Sequence, residues 1–263
     1  MSQEPETFDA HSPHGTSDSA GQPWAGRSFT ANPAAGDDGS ADVALLDALN
    51  GFRAGTAGPE AVVEAVRAAR LLIPLLAHAG DIGTTPDGHV VDKTQELSIV
   101  TVAGPDGRKV LPAFTSVQTL AAWNPQARPV PAAGPRVALA AASEQTELVV
   151  IDPASPTEFV LRRPTVYALA TGEAWVPPHR DPAVQRAFDA AVADEPDALG
   201  VELIPADPAQ RLQAAELAVR LRLRSGLDQQ QLEQLTARLS ERWAASAAIA
   251  NGVDSLVLQL VRA

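Results

Sequence analysis

No cysteine occurs among the 263 residues, which removes disulfides, thiolate metal sites and a cysteine nucleophile together and fits a reducing cytosol. Lysine stands only at Lys93 and Lys109, so arginine carries nearly all the positive charge. Lys and Arg total 20 against 32 Asp and Glu, and the net charge of −12 repels phosphate backbones and acidic lipid surfaces. Nucleic acid is therefore a poor partner for the chain as a whole. No apolar run approaches the ~18–20 residues of a membrane helix, and the opening stretch MSQEPETFDA has neither a basic patch nor an apolar h-region. The expectation is a soluble, unprocessed, cytoplasmic protein without a membrane partner. No glycine-rich phosphate loop follows a strand, and no nucleophile stands with a base at a recognisable spacing.

The hydrophobic share of 45% is enough for a real core. The length exceeds the usual ~100–150 residues of one domain, so two domains and a tail are expected. Residues 1–40 are rich in Gly, Ser, Pro, Asp and Glu and bury too little apolar surface to offset ordering entropy, which predicts a disordered acidic tail. His11 and His14 lie there without further ligands, and Trp24 and Phe29 are unusual for a free tail.

The stretch Gln95–Trp123 is the most organised. Gln95–Val102 is β-branched and apolar on both faces after Leu97, which predicts a buried strand. Gly104-Pro105-Asp106-Gly107 supplies a hairpin turn, Lys109–Phe114 returns as the second strand with Pro112 removing one ladder donor, and Thr115 or Ser116 caps a helix with Val117, Leu120 and Trp123 on one face.

Before it, Leu45, Leu46, Leu49 and Phe52 stripe a short helix, and Pro59 opens a second one through Arg70 that buries Val62, Val63, Val66 and Ala69. Arg70–Ala77 reads as a buried strand whose Pro74 marks an edge or bulge. His78–Asp92 holds His78, Asp81, Asp87, His89 and Asp92, a set that zinc or manganese accepts; the spacing matches no metal motif, and Pro86-Asp87-Gly88 is a turn signal. A solvated loop is expected, and no metal, cofactor or catalytic residue is assigned.

Beyond the central stretch, Pro129–Pro135 predicts a loop, Arg136–Ser143 a helix, Thr146–Ile151 a strand turned by Asp152-Pro153, Thr157–Leu161 its hairpin partner, and Thr165–Ala170 a helix stopped at Gly172. Trp175, Pro177 and Pro178 mark the expected seam between an N-terminal domain at 41–178 and a smaller one at 179–263. In the latter, a helix at Pro182–Ala193 and a strand at Ala198–Ile204 precede Ala215–Arg224. That strand puts Leu217, Val219, Leu221 and Leu223 on one face and Ala218, Arg220, Arg222 and Arg224 on a water-facing one. Asp228 and Gln231 cap a long helix with Leu232, Leu235, Leu239 and Trp243 as its stripe; Asn251-Gly252 ends it, and Val253–Val261 is the last strand.

The run from Asp92 to Trp123, then ARPVP at 127–131, then Thr146–Leu169 resembles the N-terminal domain of the SseB family, with Phe114–Ser116 and Leu148–Pro153 the most recognisable pieces. The resemblance covers about Leu45 to Pro178, and the final module is similar to the C-terminal domain often fused to it. It implies a soluble bacterial α/β (α+β) protein of two small mixed-sheet domains with flanking helices, and it brings no catalytic residue. The residues favour a non-enzymatic interaction or regulatory protein with an unknown protein partner. The alternative is a small-ligand (amino-acid or metal) sensor or an enzyme using the 78–92 loop. A nucleic-acid role would rest on Arg220, Arg222 and Arg224, which are more simply a solvated sheet face.

Overall fold

The computed structural model describes the backbone of residues 36–79, 82–84, 90–92 and 95–262, and the side chains of 36–76 and 98–262. The tail expected at 1–40 lies outside the described residues up to residue 35, with His11, His14, Trp24 and Phe29. Asp38 onward belongs to one compact unit. Within it the Gly39 carbonyl accepts the Val117 N–H, and the Arg70 guanidinium donates to the Ser40 carbonyl.

Two helices open the unit, α1 (Val43–Arg53) and α2 (Pro59–Ala68). Asp42 caps α1 through the Leu45 N–H, and Pro59 starts α2 where a missing N–H costs nothing. Leu45, Leu49, Val62, Val63 and Val66 are buried as their spacing predicts. Strand β1 (Arg70–Ala79) is followed by the small ladder of β2 (Ile82–Thr84) with β3 (Val90–Asp92), then β4 (Gln95–Ile99), β5 (Val102–Ala103), β6 (Lys109–Ala113), helix α3 (Val117–Trp123) and β7 (Arg128–Ala133). Helix α4 (Gly134–Ser143), strands β8 (Val149–Ile151) and β9 (Phe159–Leu161), and helix α5 (Arg163–Thr171) complete this half. The sheets run β4-β1-β7, all antiparallel, and β5-β6-β8-β9, in which only β6 and β8 are parallel. A single bridge between Leu72 and Phe114 joins them.

Three expectations need correction here. Gln95–Val102 is not buried on both faces. It splits into β4, which among the described residues pairs with β1 alone, and the start of β5, which pairs with β6; Ser98 and Ala103 are exposed. Pro74 is not at an edge but in the middle strand. Its carbonyl accepts the Val100 N–H just past the end of β4, so its missing donor falls where the ladder has already finished. Pro129–Pro135 is not a loop. Its first residues form β7, with Pro129 opposite Pro74 and Pro131 opposite Leu72. Leu72 and Pro74 turn their polar groups away from β7, so the two prolines turn theirs toward its free edge, where a strand tolerates proline.

The second half holds α6 (Pro182–Val192), β10 (Ala198–Pro205), β11 (Leu217–Leu223), α7 (Gln229–Ala245), α8 (Ala247–Gly252) and β12 (Leu256–Arg262). β10 and β11 are antiparallel, and α7 with α8 carries the chain over to β12, parallel to β11. The expected long helix is interrupted at Ser246, whose extended ψ of 114° ends α7 before α8 begins. Phe188, Leu217, Val219, Leu221, Leu235, Leu239 and Trp243 form a core distinct from that of the first half. On the opposite face of β11, Arg222 and Arg224 are exposed and Arg220 pairs with Glu202 of β10 at 3.0 Å; Ala218 is buried, so water covers only the arginine end of that face. The fold is α+β, and no helix of the described residues is long and apolar enough to cross a membrane.

Candidate functional site

Side chains of the 78–92 loop lie outside the described residues. Among those described, no group of three or more His, Asp or Glu is placed to hold a metal. The polar chemistry concentrates instead around the start of α5, where the two cores meet.

Arg162 ends β9 fully buried. Its Nη2 donates to Asp207 at 2.6 Å and to the Ala214 carbonyl at 2.9 Å, while Nη1 reaches Asp254 at 3.2 Å and Ser255 at 3.3 Å. Arg108, from the β5–β6 turn, clamps the same Asp254 with two bonds of 2.9 and 2.8 Å and holds Asp106 at 2.6 Å. Burial raises the Asp254 carboxyl, but the Arg108 hydrogen bonds and the Arg108 and Arg162 charges outweigh it and leave it below the usual aspartate value. Glu216 lacks such a clamp. Buried beside the knot, it accepts only the Asp254 N–H, at 2.6 Å, and desolvation pushes its carboxyl up to about 7. This knot is joinery, since the Arg162 Nη groups and the Arg108 guanidinium all face protein acceptors.

The next residue turns outward. Arg163 Nη2 donates to the Ala250 and Val253 carbonyls at the end of α8, which suits a cation. One turn along α5 stands Tyr167, the sole tyrosine, 61% exposed. On one side of this pair lies a groove of about 620 Å³ between α4 and α5, floored by Ala138, Ala142, Val166 and Ala170 and closed at one end by Arg108 and Lys109. On the other lies a second groove of about 640 Å³ reaching Trp175, Asp181 and Asn251. Arg163, Tyr167 and Glu147 line both. Neither lining contains a histidine. In the first groove the Thr146 hydroxyl is committed to the Lys109 carbonyl at 2.6 Å.

Of the residues singled out in the sequence, Ser116 caps α3 in a capping box with Thr119, Ser143 bonds back to Leu139, and Arg220 meets Glu202. None enters the grooves. Sequence reasoning missed Arg162, Arg163 and Tyr167. The Arg-Arg pair directly after the apolar FVL was the available signal, because a charge at the end of a buried strand needs a partner.

The two recognisable pieces of the sequence are one structural device. Asp152, buried with φ +46°, accepts the Thr115 N–H at 2.8 Å and the Thr115 and Thr157 hydroxyls at 2.7 and 2.9 Å. An α+β half built on this latch, with open grooves on either side of Arg163 and Tyr167, is the class that the fold defines. Residues 44–168 match the family model described as SseB protein N-terminal domain, so this part of the chain is similar to that domain. No curated protein and no solved structure matches the chain.

Proposed function

We propose that the protein is a non-enzymatic, cytoplasmic interaction protein with a regulatory role, and that the α4–α5 groove receives a segment of its protein partner. The observation that carries this reading is Tyr167. It is a large aromatic, mostly exposed, beside an arginine and an apolar groove, the combination that dominates binding hot spots. Arg108, Lys109 and Arg163 around the groove favour a segment with an acidic group next to an aliphatic or aromatic one.

Affinity capture with the whole chain tests it. Tyr167→Ala and the groove-filling Ala142→Trp change exposed positions and leave the melting temperature nearly unchanged. Each is expected to weaken capture of the partner by about 30-fold, the loss that goes with a hot spot of about 2 kcal/mol. Equal capture by both variants and the unaltered protein overturns the proposal. The groove volume of about 620 Å³ also suits a small anionic ligand, a second reading. An amino acid or organic acid at 100 times its Kd then raises stability by about 2.7 kcal/mol in a thermal-shift series, and Arg163→Ala removes the shift.

A further inference from the structure

Among the described residues, strand β12 is the outermost strand of its sheet, hydrogen-bonded to β11 on one side only. Alternate residues of an edge strand turn their N–H and C=O groups outward, and folded proteins usually guard such an edge with lysine, proline, a bulge or a covering segment. Here Leu256–Val261 carries no charge and no proline. Leu256, Val257, Leu260 and Val261 are 38, 42, 47 and 37% exposed. Leu256 and Leu260 lie opposite Leu217 and Leu221, on the face that α7 covers over β11 but leaves open over β12. A groove of about 350 Å³, lined by Ser240, Trp243, Ala244 and Leu256 among others, opens at the start of the strand on that side.

The order of residues says what fits this edge. Val257-Leu258-Gln259-Leu260-Val261 reads the same in both directions about Gln259. We propose that two copies of the chain pair through β12, antiparallel, about a two-fold axis through Gln259. At that register Val257 meets the partner's Val261, Leu258 meets the partner's Leu260, and the two Gln259 amides face each other. Each apolar residue finds its like on the same face of the sheet, which is the self-complementarity an isologous contact requires. The two three-stranded sheets become one of six strands. Both helix layers fall on one side of it, where the small Ser240 and Ala244 on the flank of α7 leave room over Leu256.

The absence of cysteine makes the register testable. In Gln259→Cys the two sulfur-bearing residues sit across the axis with Cα atoms about 4.5–5.5 Å apart, inside the range of a disulfide. In Val257→Cys the equivalent pair is about 14 Å apart, four residues of strand, and cannot bridge. The whole chain is expected to sediment at twice 27.4 kDa, with Gln259→Cys oxidising to a covalent dimer and Val257→Cys not doing so. Leu260→Lys, at an exposed position, shifts the equilibrium to monomer with the circular dichroism spectrum unchanged. A chain that sediments as a monomer throughout a wide concentration series overturns the proposal. So does a dimer whose Gln259→Cys form does not cross-link, or one in which both cysteine variants cross-link equally. A complex between β12 and a different protein, with no self-association, overturns it as well.

Discussion

Arg162 shows what one residue costs and what it holds. An arginine buried between Asp207 and Asp254 has given up its hydration, and its Nε finds no acceptor, so the net worth of the knot comes from the four donor contacts of its two Nη nitrogens and the three that Arg108 makes beside it. Arg162→Met leaves Asp207 with only backbone donors and is expected to destabilise the fold by about 3–5 kcal/mol in urea unfolding. Glu216 gives the opposite dependence on pH from its neighbours. The folded protein keeps its proton up to about pH 7, whereas the unfolded chain releases it near 4.5. In that window the native state binds more protons, so this group's contribution to stability falls as pH rises from about 4.5 to about 7 and then levels off. The lowered Asp254 works the other way, and its contribution is lost only as pH falls below the ordinary aspartate range. Glu216→Gln keeps an acceptor for the Asp254 N–H. It is expected to abolish the neutral-range slope and to gain up to about 3 kcal/mol at about pH 8, read from urea midpoints across pH. A slope unchanged by the substitution contradicts the assignment.

At the scale of elements, the sequence was most legible where local chemistry and tertiary environment agree. Ser116 and Asp228 form capping boxes where hydroxyl, carboxylate and third-residue partners are spelled out, and Gly172 stops α5 with φ +77°. Ser116→Ala is expected to cost about 1 kcal/mol by thermal unfolding. It was least legible where tertiary pairing overrides local signal. The prolines of β7 read as a loop until the position of β1 shows that their nitrogens face a free edge, and no periodicity in PVPAA predicts that. Gly134 is a further case. As the first residue of α4 it lies against the backbone of α2, where an added methyl would collide with the Val66 carbonyl. Gly134→Ala therefore forces α2 and α4 apart and is expected to cost several times as much as the Ser116 cap, a loss in the ~1–3 kcal/mol range of overpacking or beyond. Neither the helix propensity of alanine nor the composition around it hints at this.

Across the whole molecule, the two apolar cores could be read from spacing alone, because Leu45–Val66 and Leu235–Trp243 bury the residues their helical periods select. The groove could not. Tyr167 and Arg163 belong to a short helix most of whose other residues are buried, and what makes them a site is the arrival of α4, the 145–148 loop and α8 from other parts of the chain. The knot of Arg162, Arg108, Asp207 and Asp254 fixes that arrangement, since its members come from both halves. The most direct test of the central claim puts a photo-cross-linking amino acid in place of Tyr167 in the whole chain and irradiates it in native extract. The account predicts one dominant adduct, whose cross-linked peptide carries an acidic residue beside an apolar one. Val43, on α1 and 72% exposed, gives no such adduct when replaced in the same way. Adducts from position 167 indistinguishable from those at position 43 would contradict it.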